Sequence, residues 1–576
     1  MLRTERERIK DLGAFDTPKE IAEFLASWAI RKSSDRVLDP GAGSGVFVEA
    51  AISRFTELGK PSSQAINQIF AVEKDKERYG RLLSKLKDKH GFTDSKNLIL
   101  SDFFNVIPKR SWFSDIPEPI RVDAVIGNPP YVERQRLNNV RSIQKKILPS
   151  LEQSIDLHSV TDIYGYFILH STSFLGEGGR LAFIVSDTWL HMDFGKPIKE
   201  FLLNNFHLKA IVGFDRRVFS NALVRAILLL VERSSQSKSD NQVTFVQLRD
   251  YNAVGKLHSM LSGDLNGNGW AKVVRIEQSS LSTNASWSKY LKGSKVYFEI
   301  ERSPRVTALG NIADVNIGLQ TLRKGFYVFD RSKINQTRIE DKFLEPITLS
   351  PRYIPKVVSS KRQVDDRVLF CDMAKDKIRS QALLDYIKSA EKMKISPRGK
   401  SLVVTGVHNL PRIKKANRNP WYNLIPEIER RCRGLVLVPR RFYKKFYVTW
   451  NKAGVVANED FINVHPKKGI SSEALLAVLN SSFGELVCRI NAQLYGGGVF
   501  DLRPDDVRSL PVIDVRQLSE TETTALEQAY REFVTKESRE RIDSVIYEIL
   551  QLSPNYRGRL AEELEDLRSL SEISKG

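Results

Sequence analysis

Short apolar segments alternate with amphipathic ones along the first 230 residues of the chain. The apolar segments lack the polar alternation of half-exposed strands, which is typical of strands buried on both faces. Helical spacing of apolar residues predicts helices over 18–30 and 47–58. This order predicts an α/β fold with a doubly wound, mostly parallel sheet. The predicted strands cover residues 36–39, 65–72, 98–100, 124–126, 181–185, 210–212 and 226–231.

The pattern changes after a polar, serine-rich stretch at 232–241. Such stretches are typical of exposed loops and domain boundaries, so the first domain is expected to span 1–235. Strand-like runs among basic loops follow, which predicts a mixed α+β domain over 242–515. Apolar residues then return to helical spacing, which predicts a C-terminal helical segment over 516–576.

The basic excess of the chain is concentrated in one stretch. The 576 residues include 89 Lys and Arg against 69 Asp and Glu, a net charge of +20. Residues 1–230 contribute only +5 of this charge, whereas residues 351–450 hold 24 basic and 8 acidic residues. A basic excess confined in this way indicates a polyanion-binding surface, with an ordinary solvated surface as the alternative.

Cysteine content and hydropathy narrow the class of protein. The 3 cysteines form no C-x-x-C pair, which argues against a disulfide framework or a thiolate zinc site and favours a reducing cytoplasm. The longest apolar run, 226–231, is far shorter than the roughly 18–20 residues that cross a bilayer. The N-terminus lacks the apolar segment of a secretory signal. We therefore expect a cytoplasmic protein without membrane contact, and no metal site, because the 8 histidines show no metal-ligand spacing.

A glycine-rich turn follows the first predicted strand and contains Asp39, Gly41 and Gly43. Glycines let the backbone turn tightly and approach a ligand, and the N-terminus of the following helix offers unpaired N–H groups. Such a turn could hold NAD, another nucleotide or S-adenosylmethionine, or it could be a tight turn without a ligand. No Lys-Ser or Lys-Thr pair follows, which excludes a phosphate-binding P-loop.

Acidic residues also follow the next two strands. Glu73 is placed to accept hydrogen bonds from both ribose hydroxyls of an adenosine-containing cofactor. Asp102 could accept a hydrogen bond from the adenine amine of that cofactor, while Phe103 packs against the ring. Each of these residues could equally be an ordinary residue at a strand end.

The sequence Asn128-Pro129-Pro130-Tyr131 follows a further strand and suits the methylation of a planar, conjugated amine. The lone pair of such an amine is delocalised, so the nitrogen is a poor nucleophile. The side-chain carbonyl of Asn128 and the main-chain carbonyl of Pro129 could accept its two N–H hydrogens and shift the nitrogen toward sp³ geometry. Pro129 and Pro130 stiffen the loop, and Tyr131 offers a flat face for stacking.

Together these motifs resemble the S-adenosylmethionine-dependent DNA adenine-N6 methyltransferases of bacterial restriction–modification systems. The specific motifs cover residues 12–232, and weaker similarity continues to about 515. The resemblance implies a Rossmann-like catalytic domain followed by a DNA target-recognition domain. The cofactor-binding positions that it implies are Thr17, Pro18, Asp39, Gly41, Gly43, Glu73, Asp102 and Phe103.

The resemblance also implies that Phe219 lies against the target adenine, which would be held between Phe219 and Tyr131 after flipping out of the duplex. Phe219 could instead be an ordinary core residue. In the C-terminal half, basic residues are interleaved with aromatic ones, and their side chains would contact DNA phosphates. The candidate DNA-binding residues are Arg418, Arg440, Arg441, Lys444 and Lys445.

The sequence therefore predicts a sequence-specific methyltransferase that acts on adenine N6 in double-stranded DNA, with a cognate restriction endonuclease as a candidate partner. Cytosine-C5 chemistry is excluded because none of the three cysteines follows a proline. One alternative is a methyltransferase for an RNA amine or a protein glutamine amide, which pose the same problem of a planar nitrogen. A second alternative is an inactive DNA-binding relative.

Overall fold

The chain divides into two compact units, Met1–Ser294 and Lys295–Gly576. In the first unit a large sheet is surrounded by helices, and the second unit is built from several smaller sheets and helices. The computed structural model describes residues 17–91, 96–108, 120–131, 140–151, 155, 162–215, 218, 225–236, 239–265, 269–396, 403–495 and 498–571.

A sheet of nine strands, counted over the described residues, forms the centre of the first unit. In chain order the strands are β1 Val37–Asp39, β2 Ile69–Glu73, β3 Leu98–Leu100, β4 Val122–Gly127, β5 Leu175–Ser186, β6 Phe206–Phe214, β7 Ala226–Arg233, β8 Gln242–Leu248 and β9 Ala271–Glu277. Their order across the sheet is β3-β2-β1-β4-β5-β7-β6-β8-β9. Strands β1 to β5 pair in parallel, whereas β7 is antiparallel to both of its neighbours.

Both faces of this sheet are covered, which explains the unbroken apolar strands of the sequence. On one face, Ala124, Ile126 and Ala182 belong to an apolar core with residues of the helices Lys19–Ala29 and Val46–Glu57. Their neighbours Val125 and Phe183 point to the other face and are also fully buried. The predicted doubly wound α/β fold is therefore confirmed.

The helices of the first unit connect these strands and end at residues suited to helix termini. Asp75 accepts hydrogen bonds from the backbone N–H groups of Glu77 and Arg78 at the start of one helix, and that helix ends at Gly91, which has a φ of 62°. The helices are α1 Lys19–Ala29, α2 Val46–Glu57, α3 Ser62–Ala65, α4 Lys76–His90, α5 Val140–Ile147, α6 Ile163–Thr172, α7 Gly195–Asn205, α8 Leu257–Ser262 and α9 Ser288–Lys292.

Two sequence-based boundaries differ from the structure. The strand predicted over 65–72 begins only at Ile69, because the preceding residues form α3 and a short 3₁₀ helix, Ile66–Gln68. The predicted domain boundary at 235–242 is also wrong. Strand β8 pairs in parallel with β6, and β9 pairs with β8, so both strands complete the first sheet and the unit extends to Ser294.

The second unit contains several small sheets instead of one large one. The strands are β10 Val306–Ala308, β11 Ala313–Ile317, β12 Val328–Phe329, β13 Leu344–Thr348, β14 Arg367–Leu369, β15 Lys394–Ile395, β16 Val404–Thr405, β17 Val436–Pro439, β18 Arg441–Phe442, β19 Thr449–Trp450, β20 Val456–Ala457, β21 Phe461–Pro466, β22 Gln493–Leu494, β23 Phe500–Asp501 and β24 Pro511–Ile513. Two four-stranded sheets have the orders β11-β21-β17-β19 and β12-β14-β13-β20, and a three-stranded sheet has the order β18-β23-β22.

The C-terminal helices belong to this second unit and do not form a separate segment over 516–576. The helices of the unit are α10 Lys295–Glu301, α11 Leu309–Ile312, α12 Lys324–Tyr327, α13 Arg331–Thr337, α14 Gln381–Lys392, α15 Pro411–Ala416, α16 Ile425–Arg431, α17 Ser472–Asn480, α18 Ser482–Asn491, α19 Pro504–Arg508, α20 Glu520–Lys536, α21 Glu540–Ile549 and α22 Pro554–Ser569. No helix in the described ranges is long and apolar enough to cross a membrane.

A buried carboxylate connects the last helices of the chain. Glu485 on α18 is 1% exposed and forms ion pairs with Arg489, Arg539 and Arg568. The three guanidinium groups outweigh the effect of burial and lower the pKa of Glu485 to about 2. The pairs therefore fasten the C-terminal helices to the rest of the second unit.

Substituting Glu485→Gln should destabilise the second unit by about 3–5 kcal/mol, because three guanidinium groups lose their buried counter-ion. In the wild-type protein this stabilisation is present above the unfolded-state pKa and is lost as the pH falls toward about 2. Urea unfolding at pH 7 measures the change. Glu532→Gln, at an exposed pair with Lys536, is the matched control and should behave as wild type. Equal midpoints for Glu485→Gln and the control would contradict the expectation.

The carboxyl group of Asp39 should change stability with pH in the opposite direction to that of Glu485. Asp39 is 1% exposed, and burial raises its pKa from 3.8 to about 7. The folded state therefore favours the protonated form, and the free energy of unfolding falls as the pH rises from about 4 to about 7. Asp39→Asn should remove up to about 3 kcal/mol of that fall between pH 5 and pH 8. Thermal unfolding of both proteins across this range measures the difference, and identical profiles would refute the prediction.

Candidate active site

The C-terminal ends of β1, β2, β3 and β4 meet at one edge of the sheet, because these strands are parallel neighbours. A cleft of about 880 Å³, open to solvent, lies at this edge. Of the predicted site residues, the cleft is lined by Thr17, Gly41, Gly43, Glu73, Asp102, Phe103, Asn128 and Pro130.

The glycine-rich turn leads from β1 into α2 and borders the cleft. Gly43 and Gly45 have φ values of 52° and 83°, a backbone region that favours glycine. A Cβ atom on Gly45 would lie 2.5 Å from Cδ1 of Leu82, so a larger residue there would also displace the Leu82 side chain of α4. Gly41 has no atom within 4 Å of a built Cβ, which leaves its backbone accessible to a ligand. The turn thus brings its main chain and the N-terminus of α2 to the cleft.

Glu73 at the end of β2 holds this turn in place. Its Oε2 atom accepts a hydrogen bond of 2.9 Å from the Gly43 N–H, and its Oε1 atom accepts one of 2.7 Å from the Asp75 N–H. The side chain is 8% exposed. Each carboxylate oxygen can accept more than one hydrogen bond, so Glu73 can still accept from the hydroxyl groups of a ligand.

Asp39 lies beneath the turn and does not line the cleft. Its Oδ1 atom accepts a hydrogen bond of 3.1 Å from the Gly41 N–H, and its Oδ2 atom has no hydrogen-bond partner among the described residues. A Cβ atom on Gly127 would lie 3.3 Å from Oδ1, so the absence of a side chain there lets the ends of β1 and β4 approach. Asp39 therefore supports the turn from below. Its burial there raises the pKa of the carboxyl group to about 7.

Asp102 and Phe103 border the cleft at the end of β3, and they have different environments. Asp102 is exposed and accepts a hydrogen bond of 3.0 Å from the Phe104 N–H, which starts a short 3₁₀ helix. Phe103 is 2% exposed, and its ring lies in an aromatic cluster with Phe167 and Phe174. Phe103 thus contributes a fixed apolar wall to the cleft.

Asn128 enters the cleft directly after β4. Its Nδ2 atom donates a hydrogen bond of 3.1 Å to Oγ1 of Thr17, which orients the side-chain amide. Thr17 is itself 6% exposed and lies two residues before α1. Pro18, next to Thr17, is the N-cap residue of α1 and does not line the cleft. The first helix therefore helps to position the amide of Asn128.

Pro129 is buried, and Tyr131 is half-buried and is not among the residues that line the cleft. The Tyr131 hydroxyl donates a hydrogen bond of 3.3 Å to the carbonyl of Ile184, and its ring centre lies 6.3 Å from that of Tyr164. Burial, with a contribution from the nearby Asp187 carboxyl, raises the pKa of Tyr131 well above its usual value, so the hydroxyl stays neutral. Phe219, the predicted second stacking residue, lies outside the described residues.

Several residues of this region were not predicted from the sequence. Arg78 and Phe104 line the cleft, and Asp187 lies near Tyr131 with a pKa raised to about 6 by burial. Arg78 follows from the position of α4, since Asp75 caps that helix and places Arg78 in its first turn. Asp187 has no motif of its own, and only the pairing of β5 with β7 brings it within 3.4 Å of Arg225.

The predicted DNA-binding residues occupy different environments in the second unit. The Arg418 side chain is 5% exposed and forms an ion pair with Glu427, so the expectation that it contacts DNA phosphates is wrong. Arg440 and Arg441 share the carboxylate of Asp501, at 3.2 and 3.1 Å. Lys444 and Lys445 are exposed, with the Lys445 ammonium 5.4 Å from the ring centre of Tyr447.

Two family models match successive parts of the chain. The model of the Eco57I restriction-modification methylase matches residues 50–219, which contain the cleft residues from Glu73 to Pro130. The model of the C-terminal domain of the Type II methyltransferase M.Eco57I matches residues 285–547, nearly all of the second unit. Together the two matches follow the observed division into units.

Two curated relatives of the chain are also Type II methyltransferases. The Type II methyltransferase M.AccI from Acinetobacter calcoaceticus is 24% identical over 546 residues, which is 92% of this chain and 90% of that protein. The Type II methyltransferase M.BstVI from Geobacillus stearothermophilus is 30% identical over 221 residues, which is 36% of each chain. Similarity thus extends over the full length in one relative and is restricted to about a third of the chain in the other.

Among solved structures, the Type IIL restriction-modification enzyme MmeI in complex with DNA has a similar fold. Its TM-score is 0.54 at 12% sequence identity, and the match covers 97% of this chain and 73% of that chain. At this level of identity the likeness concerns the fold.

S-adenosylmethionine is the cofactor of this methyltransferase, and the groups around the cleft fit it. The glycine-rich turn brings its main chain to the cleft, Glu73 offers a carboxylate for hydroxyl groups, and Phe103 offers an apolar wall. Within the part of the chain that the structure describes, no cluster of His, Cys, Asp or Glu side chains could hold a metal ion. The site, the fold and the two family matches agree, and the chain belongs to the restriction–modification methyltransferases that these two models describe.

Proposed function

We propose that the chain transfers a methyl group from S-adenosylmethionine to the exocyclic N6 amine of adenine in duplex DNA, at a specific sequence and on a flipped base. The observation that carries this proposal is the position of Asn128. Its side chain lines the same cleft as the glycine-rich turn, Glu73 and Asp102. An amide acceptor beside the cofactor site suits a planar amine as substrate.

Asn128 and Pro129 would act on the amine through hydrogen bonds. Adenine N6 has two hydrogens and a delocalised lone pair, so acceptors for both hydrogens favour the sp³ geometry that attacks a methyl group. The side-chain carbonyl of Asn128 and the main-chain carbonyl of Pro129 are two such acceptors on adjacent residues. The hydrogen bond from Asn128 to Thr17 at 3.1 Å and the burial of Pro129 support a fixed orientation.

Tyr131 is the candidate for stacking against the flipped adenine, because a base that leaves the duplex must recover its lost stacking energy. The hydrogen bond to Ile184 and the neighbouring Tyr164 ring hold the Tyr131 ring in place. Phe219 remains the proposed residue on the other side of the base.

The cofactor supplies an activated methyl group on a sulfonium centre. The chain would bind it through Glu73 at the ribose hydroxyls, Asp102 at the adenine amine and the backbone of Gly41 and Gly43. Thr17 would border its methionine part, and Pro18 would fix Thr17 at the start of α1. The burial of Asp39 beneath the turn and its hydrogen bond from the Gly41 N–H support a role in holding that backbone.

The second unit is the proposed DNA target-recognition domain. Its basic excess supports this role, with Lys444 and Lys445 as phosphate contacts and a smaller contribution from Arg440 and Arg441, which share Asp501. A DNA substrate implies a protein of the cytoplasm, and a restriction endonuclease that cuts the same sequence is the proposed partner. The relative RM.Eco57I is named as both restriction enzyme and methyltransferase.

The proposed substrate can be tested with labelled S-adenosylmethionine and genomic DNA, followed by nucleoside analysis and sequencing of the modified positions. Label in N6-methyladenine at one sequence would support the proposal. Label in RNA, in a glutamine side chain or in a cytosine would refute it. Sequence-specific DNA binding without any transfer would indicate an inactive relative.

Substituting Asn128→Ala should lower the rate of methyl transfer by about 100-fold or more, because one acceptor of the amine is lost. Cofactor affinity, measured by calorimetry, should change little. Asn97→Ala removes an amide that bonds to the Asn67 carbonyl away from the cleft, and it should leave the rate unchanged. A rate near that of wild type for Asn128→Ala would contradict the proposed mechanism.

Replacing Lys444 and Lys445 with Ala should weaken DNA binding and lower the slope of log K against log salt concentration by about 2. Lys536→Ala removes an exposed cation that is paired with Glu532 and should leave the slope unchanged. Binding to a labelled duplex at several salt concentrations measures both effects. Equal slopes in all three proteins would place the DNA surface elsewhere.

A further inference from the structure

An exposed loop of the second unit, residues 320–325, carries two cations and an apolar side chain. It follows β11 and includes the first two residues of α12, and its central residues Leu322, Arg323 and Lys324 are all exposed. No sequence motif pointed to these residues. The rest of the unit holds the loop in place from both ends.

Arg418 holds the first half of the loop. Its Nη2 atom donates a hydrogen bond of 2.9 Å to the Gln320 carbonyl, and its Nη1 atom donates one of 3.4 Å to the Thr321 carbonyl. The guanidinium is fixed by two hydrogen bonds to the Glu427 carboxylate, at 2.7 and 3.0 Å. The buried guanidinium of Arg418, paired with the partly exposed carboxylate of Glu427, thus positions two main-chain carbonyls.

Lys333 holds the second half of the loop. Its Nζ atom donates hydrogen bonds to the carbonyls of Gly325, Phe326 and Val328, at 2.7, 3.1 and 2.7 Å. The ammonium lies 4.0 Å from the ring centre of Phe329. Three carbonyls and an aromatic ring therefore fix one ammonium, and through it the end of the loop.

The conformation of the loop places Leu322 in an unfavourable region of backbone space. Leu322 has a φ of 64°, which non-glycine residues with bulky side chains rarely adopt. Its side chain is 36% exposed, so burial of the leucine does not offset the strain. Strain of this kind persists where the surroundings hold the backbone, and it is concentrated at functional sites. Here Arg418 and Lys333 are the groups that hold the backbone.

The charge of the loop is available to a polyanion. Neither Arg323 nor Lys324 forms an ion pair within 4 Å with the residues that the structure describes, and Asp366 interacts with Lys324 only at longer range. Many other basic side chains of this unit are neutralised, as in the pairs of Arg418 with Glu427 and Arg433 with Glu345. The loop is therefore a point where positive charge is left uncompensated.

We propose that loop 320–325 docks onto duplex DNA, with Arg323 and Lys324 on phosphates and Leu322 against base edges in a groove. Arg418 and Lys333 are then positioning residues, which hold the loop and do not touch DNA. Leucine side chains can contact base pairs or insert between them, while two adjacent cations fix the protein on the phosphate backbone of the DNA. The inference rests on the proposed function, because it takes DNA as the substrate.

The loop can be tested by separating its charge from its leucine. The double substitution Arg323→Ala with Lys324→Ala should weaken binding on the order of tenfold and lower the salt slope by about 2. Leu322→Gly should weaken binding without changing the slope, and since glycine favours this φ, its melting temperature should be unchanged or raised. Arg338→Ala is the control, since Arg338 is an exposed cation at a φ of 51° in the same unit.

The probe is a labelled 30-base-pair duplex that contains a site methylated by the wild-type protein. If the wild-type protein methylates DNA and the loop variants bind as the wild type does, the loop proposal is overturned while the proposed function stands. An equal loss of DNA affinity in the Arg338→Ala control would also overturn the loop proposal. The loss would then reflect the total charge of the unit and not the position of the loop. A wild-type protein that neither binds nor methylates DNA would overturn the proposed function itself.

Discussion

Parallel pairing of four neighbouring strands is the constraint on which the candidate active site depends. β3, β2, β1 and β4 all end at the same edge of the sheet, so side chains separated by up to about ninety residues lie around one cleft. Glu73 then fastens the glycine-rich turn to β2, and Gly127 allows β4 to approach Asp39. The chemistry of the cleft therefore follows from hydrogen bonding in the sheet, since each strand end can carry one functional side chain without disturbing the core.

Charged side chains serve structural purposes throughout the second unit. Glu485 joins three helices through its arginines, and Arg418 and Lys333 hold the carbonyls of one loop. Glu485 and the Arg418 guanidinium are tolerated in buried positions because each one is paired with an opposite charge. The net charge of a region is thus an incomplete guide to its DNA-binding surface, because the ion pairs decide which cations remain exposed to a phosphate.

The predictions were accurate for features that a single strand determines. They failed for features that depend on which distant segments pair. The strand Leu98–Leu100 and the strand ends at Glu73 and Asn128 were located from apolar runs alone. The boundary after residue 235 was wrong because the polar stretch there is a connection within the first unit, and β8 and β9 still pair with the sheet. Arg418 was misassigned for a similar reason. Its partner Glu427 lies on the next helix, and the local composition does not show that the two side chains pair.

The sequence by itself determined the α/β class, the order of the motifs and the residue types at the cleft, because these depend on local periodicity and on the chemistry of single side chains. Tertiary structure decided which residues meet. It buried Asp39 beneath the turn, oriented Asn128 through Thr17 and brought Asp187 beside Tyr131. It also separated the cations that hold the fold from those left exposed on loop 320–325, since burial and pairing arise only when distant segments pack together.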